Sequence, residues 1–331
     1  MSIQQMFLGT GGGGGLDVSE VFSTDLWSGI TNTDAEIEND IDLDGEGGLI
    51  WMKRRNGTAG TFTQHVLFDS GRSENSGLLL PTNSTSGGED ILNSGNSFNS
   101  DGFTWQTENN FMPTGSNYVS WTFRNAPNFF EAVEYSGAPS AVTVNHNLES
   151  IPGCIIFKRY DGSGAWFVYH KDTSSGKHLV LNTSAGETDD GGSPFSSLTS
   201  TSFTFDRTYV NDLDSNGNNY VAYLFAEDED NIKCGSFDGT AGTTVNVGFE
   251  PQWVILKRTD GGDWWYCLDN KRGLPTADST DSTGIFLNSN YPESSSYNEP
   301  RIYTTATGFT VSTGTGLNPN PYIYIAIKKE D

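Results

Sequence analysis

Ile50-Trp51-Met52-Lys53-Arg54, Ile155-Ile156-Phe157-Lys158-Arg159 and Val254-Ile255-Leu256-Lys257-Arg258 repeat one pattern, a run of strand-forming apolar residues closed by Lys-Arg. Each run is followed at the same offset by a turn pair, Asn56-Gly57, Asp161-Gly162 or Asp260-Gly261. Asn-Gly and Asp-Gly tolerate the positive φ angles of tight hairpins, so the chain is expected to reverse there into a second strand. That strand is read at Val66-Leu67-Phe68-Asp69, Phe167-Val168-Tyr169-His170 and Trp265-Tyr266-Cys267-Leu268-Asp269. A third run follows in each copy, Leu78 to Thr82, Leu179 to Thr183 and Ile285 to Ser289, with Pro81 where the other copies place Asn182 and Asn288. Gly102-Phe103-Thr104, Ser202-Phe203-Thr204 and Gly308-Phe309-Thr310 form a later anchor, and strands starting at Tyr118, Tyr220 and Tyr322 close each copy. Anchors that keep their order at a near-constant period mark an internal repeat, which decides the fold before local propensity does.

The rest of the 331-residue chain agrees with this reading. Its 39 glycines, together with long Ser, Thr, Asn and Asp stretches, cut an apolar content of 34% into short pieces with no room for long helices. The expected architecture is all-β: three tandem antiparallel β-sandwich repeats, jelly-roll-like or lectin-like, of about 100 residues each. Residues 1–16 form a Gly-rich N-terminal segment, and the repeats run over 17–126, 127–227 and 228–331. Glu227-Asp228-Glu229-Asp230 reads as a solvated linker, and the recurring Tyr118/Tyr220/Tyr322, Phe103/Phe203/Phe309 and Phe123/Phe225 read as core.

Charge excludes several functions. Eighteen Lys plus Arg against 42 Asp plus Glu give 18 − 42 = −24, which repels nucleic-acid phosphate and acidic lipid headgroups. No apolar run approaches the roughly 18 residues of a membrane span, and the first residues lack the basic and apolar regions of a secretion signal. Cys154, Cys234 and Cys267 have no Cys-x-x-Cys spacing and read as small buried apolar residues. None of His65, His146, His170 and His178 recurs in all three copies, no hydrolase motif surrounds them, and no acid pair stands out among 42 carboxylates. The expectation is a protein that is not an enzyme and has no organic cofactor.

Two acidic loops, Asp40-Ile41-Asp42-Leu43-Asp44-Gly45 and Asp212-Leu213-Asp214-Ser215-Asn216-Gly217, alternate hard oxygen donors before a turn glycine. Asp40, Asp42 and Asp44, and Asp212, Asp214 and Asn216, are therefore candidate calcium ligands, against the simpler reading of solvated acidic turns. The bidentate glutamate of an EF-hand is missing from both, Trp51 and Tyr223 standing at that offset. Gly11–Gly15 is followed by no Lys-Ser/Thr, so it is a tether and not a phosphate loop. Trp264, Trp265 and Tyr266 are consecutive, so a strand there turns them to both faces, and burial between repeats competes with exposure to a partner.

Gly47-Gly48-Leu49-Ile50-Trp51-Met52-Lys53-Arg54, Leu67-Phe68-Asp69-Ser70-Gly71-Arg72, Asn99 to Thr104 and Tyr118 to Pro127 carry a resemblance, as do Pro152 to Arg159, Tyr220 to Ala226 and Glu250 to Val254. Over nearly its whole length the chain resembles a repeat family of unassigned function in tailed bacteriophages of marine bacteria. The resemblance implies a virion structural protein, a tail fibre or tail-associated adhesin assembled in the host cytoplasm and located in the tail. Met1, Ile3, Met6, Phe7 and Leu8 would anchor it to other virion proteins, while β-modules project outward for host attachment. Trp105, Trp166, Trp264 and Trp265 would contact a host-surface glycan or protein, and a homo-oligomer, trimer or hexamer, is expected by analogy. A capsid decoration or cement protein and a glycan depolymerase are the alternatives.

Overall fold

The computed structural model describes residues 16–29, 34–57, 63–72, 78–88, 96–105, 114–189, 191–206, 213–279, 283–293, 302–313 and 317–330. Met1, Ile3, Met6, Phe7, Leu8 and Asp212 lie outside the described residues.

Strand-forming runs bounded by glycine and polar turns give an all-β, antiparallel structure whose sheets fall in three units. In the first, β1 (Phe22–Ser28), β3 (Gly48–Arg54), β4 (His65–Asp69), β5 (Leu80–Pro81) and β8 (Asn117–Arg124) form a sheet in the order β1-β8-β3-β4-β5. Strands β2 (Ala35–Glu38), β6 (Ser97–Asn99) and β7 (Gly102–Trp105) form a smaller sheet, β2-β7-β6. The second unit has β9 (Phe130–Ser136), β11 (Cys154–Arg159), β12 (Trp166–His170), β13 (Lys177–Val180), β14 (Thr188–Asp189) and β17 (Asn219–Phe225) in the order β14-β13-β12-β11-β17-β9. Its small sheet is β10-β16-β15, from β10 (Thr143–Asn145), β15 (Phe195–Leu198) and β16 (Ser202–Phe205). The third unit has β18 (Ile232–Asp238), β20 (Pro251–Arg258), β21 (Trp265–Asp269), β22 (Ile285–Phe286) and β25 (Pro321–Lys328), ordered β18-β25-β20-β21-β22. Beside it lie β19 (Thr244–Asn246), β23 (Ile302–Thr305) and β24 (Gly308–Val311), ordered β19-β24-β23.

Burial on both faces of the large sheets explains the unbroken apolar runs. Side chains alternate across a strand, so Ile50 and Met52 face the small sheet of their own unit, where they pack with Ile37, Phe103 and Trp105. Leu49 and Trp51 point the opposite way, into a second core shared with Trp166, Tyr223, Trp253 and Trp265 of the other units. The third unit divides likewise, with Val254 and Leu256 against Phe309 and with Trp253 and Ile255 in the shared core. Each unit is therefore a sandwich whose large sheet also forms one wall of a common interior. Units closed around that interior do not extend as a rod.

The Lys-Arg anchor has a different reason from a tight hairpin. Gly162 and Gly261 do not take positive φ, and among these three turn glycines only Gly57 does, at +102°. In each copy the arginine folds over the glycine: a Cβ would lie 2.9, 2.6 and 2.9 Å from the guanidinium of Arg54, Arg159 and Arg258, so a larger residue there would push that guanidinium aside. The register also moves one anchor. Val66 pairs with Pro81, Phe167 with Val180 and Tyr266 with Phe286, so Asn83, not Pro81, is the counterpart of Asn182 and Asn288.

Candidate functional site

Three seams join the units in a ring, and corresponding positions meet at each. The first residue of β12, β21 or β4 sends a ring N–H to a carbonyl of the preceding unit: Trp166 Nε1 to Pro81 O at 3.0 Å, Trp265 Nε1 to Val180 O at 3.2 Å, and His65 Nε2 to Phe286 O at 3.1 Å. Backbone bonds recur in the same way, from Gly88 N to Tyr160 O, Glu187 N to Thr259 O and Glu293 N to Arg55 O. The lysine of the anchor lies in the seam as well. Lys158 donates to Thr85 O and Gly164 O, Lys257 to Ser184 O and Asp263 O, and Lys53 to Arg54 O and Thr63 O.

At two seams a buried ion pair is locked across the joint. Asp69 accepts from Arg72 Nε at 2.8 Å and from the Tyr223 hydroxyl of the second unit at 2.7 Å. Asp269 accepts from Arg272 Nε at 2.6 Å and from Trp121 Nε1 of the first unit at 2.9 Å. Both Asp–Arg side-chain pairs are fully buried, so each member holds the other's charge inside the protein. The second seam, between units two and three, lacks this arrangement. Its counterparts are His170, Thr173 and Ile325, and His170 Nε2 bonds Tyr324 O instead at 3.1 Å.

The residue after each Lys-Arg differs too. At the first seam Tyr160 lies beneath the Arg72 guanidinium, 5.9 Å from ring centre to Cζ. At the third, Arg55 binds Glu293 at 2.8 Å. At the second seam the position is Thr259, and a cavity of about 560 Å³ opens, lined by Asp172, Ser174, Lys177, Glu187, Thr259 and Asp260 among others. This opening is the candidate site.

Burial governs the charge states along the seams. It lowers Lys53 to about 7 and Lys158 and Lys257 to about 8. It lowers His65 well below its ordinary value and His170 to about 4. Trp51 Nε1 donates to His65 Nδ1 and the Asp172 amide to His170 Nδ1, so each neutral ring carries its proton on Nε2.

Several aromatics assigned to host contact are interior residues. Trp105, Trp166 and Trp265 are buried, the first in its own sandwich and the other two in the shared core, so they present no surface to a partner. Trp264 is half-buried, stacked on Phe286 and edge-on to exposed Tyr291. The first acidic loop is a helical turn: Asp42 caps α1 (Leu43–Glu46) by accepting from Gly45 N, while Asp40 and Asp44 are exposed. Asp214 is buried and Asn216 sits on an exposed turn. Among the described residues no group of His, Cys, Asp or Glu side chains is gathered for a metal ion, and no helix is long and apolar enough to cross a membrane. Glu227 is also more than a solvated linker residue, since it accepts from Cys234 N and pairs with Lys171 and Lys233.

The buried Asp–Arg pairs of the seams are the part that the sequence reading does not assign. Asp69-Ser70-Gly71-Arg72 and Asp269-Asn270-Lys271-Arg272 share Asp-x-x-Arg at one repeat offset, a signal that the second copy breaks at His170 and Thr173. A family model described as a domain of unknown function, DUF7483, matches residues 17–330. The chain belongs to the DUF7483 family. Because the match runs through all three units, the DUF7483 domain corresponds to the closed ring and not to a single sheet pair. Neither curated proteins nor solved structures yielded a match to the chain.

Proposed function

We propose that this DUF7483 protein is a non-enzymatic structural component of a bacteriophage virion, tail-associated and attached through residues 1–16. The observation that carries this reading is architectural. Three similar units closed around one core give a single chain a threefold outline, which suits a position on the threefold or sixfold axes of a tail, alone or in a homo-oligomer. Buried aromatics, neutral interior histidines and locked ion pairs support a scaffold that binds and does not turn over substrate. Host attachment would then rest on the outer surface of the ring, where half-buried Trp264 and exposed Tyr291 form one accessible aromatic pair.

Head decoration is the second reading, favoured by the closed shape, since a compact block can brace capsomers as readily as it can cap a fibre. Labelling of intact particles separates the two. Tail density at a few copies supports the first reading, a large copy number over the head supports the second, and absence from particles removes both. Deleting Met1–Gly15 should abolish incorporation while leaving the ring folded.

A further inference from the structure

We propose that the open second seam is a binding site for an alkylguanidinium group, which takes the place that Arg55 fills at the third seam. The ring supplies its own comparison. Glu187 and Glu293 hold the same position, five residues beyond Asn182 and Asn288, and each gives its backbone N–H to the residue that follows the Lys-Arg anchor of the next unit. At the third seam that residue is Arg55, whose guanidinium bonds the Glu293 carboxylate at 2.8 Å, with Arg272 3.4 Å from its other oxygen. At the second seam the counterparts of Arg55 and Arg272 are Thr259 and Thr173, so the carboxylate is kept while both guanidinium groups are lost.

The first seam shows the complementary solution. There Gly88 replaces the glutamate and Tyr160 packs against Arg72, whose counter-charge is Asp69 of its own unit, so no carboxylate is needed at the Glu187 position. Among the described residues the second seam combines a retained glutamate with a cavity of about 560 Å³. Glu187 still accepts from Ser174 N, and among the described residues its nearest cation is Lys177 at 3.7 Å, a looser contact than either partner of Glu293. Asp172 and Asp260 add negative charge to the walls, each with a cation close by, Lys171 at 3.4 Å and Arg258 at 2.6 Å. Carboxylates with a vacant planar donor site select guanidinium, which bonds two oxygens at once, over a neutral polyol or an anion. The source is an arginine side chain of a binding partner or a free guanidino compound.

The test titrates the ¹⁵N-labelled full chain with ethylguanidinium and, separately, with a capped Gly-Arg-Gly peptide, following the amides of Gly186, Thr259 and Gly261. Saturable shifts confined to this seam are expected. Tighter binding of the peptide assigns the group to a partner's side chain, and tighter binding of the small ion assigns it to a free compound. Glu187→Gln should weaken binding about tenfold. Thr259→Arg should close the cavity with an internal arginine and abolish it, and Arg55→Thr should create a second responsive seam beside Glu293. The proposal fails if saturation is absent, if Thr259→Arg binds as well as the parent, or if glucose saturates the seam and ethylguanidinium does not. Circular dichroism of each variant separates loss of binding from loss of fold.

Discussion

Asp69 and Asp269 illustrate how single side chains hold the ring shut. Each is a buried carboxylate whose removal takes from a buried guanidinium its closest counter-charge and leaves a Tyr or Trp donor of the next unit without its acceptor. Asp269→Asn is therefore expected to cost about 3–5 kcal/mol, whereas Tyr223→Phe, which removes only a neutral donor, should cost about 1–2 kcal/mol. Urea unfolding of both variants measures the contrast, and equal losses would deny the ion pair its special weight. Titration adds a pH signature. In the unfolded chain His170 binds a proton near pH 6.5, but the fold lowers it to about 4, so the unfolded state holds more protons between these values. Stability should fall as pH drops from 6.5 toward 4, by about 3 kcal/mol from His170 alone. The seam lysines act in a higher window by the same logic. Their folded values of about 7 and 8 lie below the ordinary 10.5, so stability should climb as pH rises from about 7 toward 10. Melting temperature against pH tests both windows, and His170→Gln should flatten the acid limb.

At the scale of strands, the Lys-Arg anchors, the Phe-Thr anchors and the closing tyrosines could be read from sequence, because each falls on the same strand of its unit. The exact register could not. Pro81 looked like a departure from Asn182 and Asn288, yet pairing sets Asn83 in their place, because apolar similarity among three-residue runs cannot fix a two-residue shift and cross-strand pairing can. The asparagine has a defined task. Asn182 Oδ1 accepts from Trp166 N at 2.8 Å and Asn288 Oδ1 from Trp265 N at 3.1 Å, which ties the short third strand to the start of its neighbour where the ladder ends. Asn182→Ala should leave a buried N–H unsatisfied and cost about 1–3 kcal/mol. The same change at Asn288 should cost a similar amount, and hydrogen exchange at the Trp166 and Trp265 amides should accelerate in the respective variant. The candidate site was hidden for a related reason: Thr259, Glu187 and Thr173 are unremarkable polar residues in the chain, and only the ring sets them against Arg55, Glu293 and Arg272.

For the whole molecule, continuous runs such as Ile155-Ile156-Phe157 already implied burial on both faces of a strand, a pattern that a free-standing sandwich with one wet face does not need. What periodicity cannot tell is which neighbour covers the second face, and here it is the other two units. A chain of independent beads would unfold in separable steps, whereas this ring should show a single calorimetric transition, and residues 127–227 expressed alone should not fold cooperatively, with Ile156, Trp166 and Tyr223 stripped of cover. Closure makes a stronger demand on the ends of the chain. Asn231 Nδ2 donates to Leu16 O at 2.9 Å and Asn231 O accepts from Lys328 N at 2.9 Å, so one residue holds both ends of the folded ring side by side. A circular permutant that joins Lys328 to Leu16 through a short Gly-Ser linker and opens the chain at the exposed Asn216-Gly217 turn should therefore fold, because the cut crosses no seam and the linker joins two ends that bond the same residue. In a rod the same linker would have to run the length of three units and would prevent folding. A permutant with the parent's near-ultraviolet spectrum and a single transition within a few degrees of its melting temperature would establish the ring in solution, and a permutant that aggregates while the Asn216-Gly217 cut alone is tolerated would refute it.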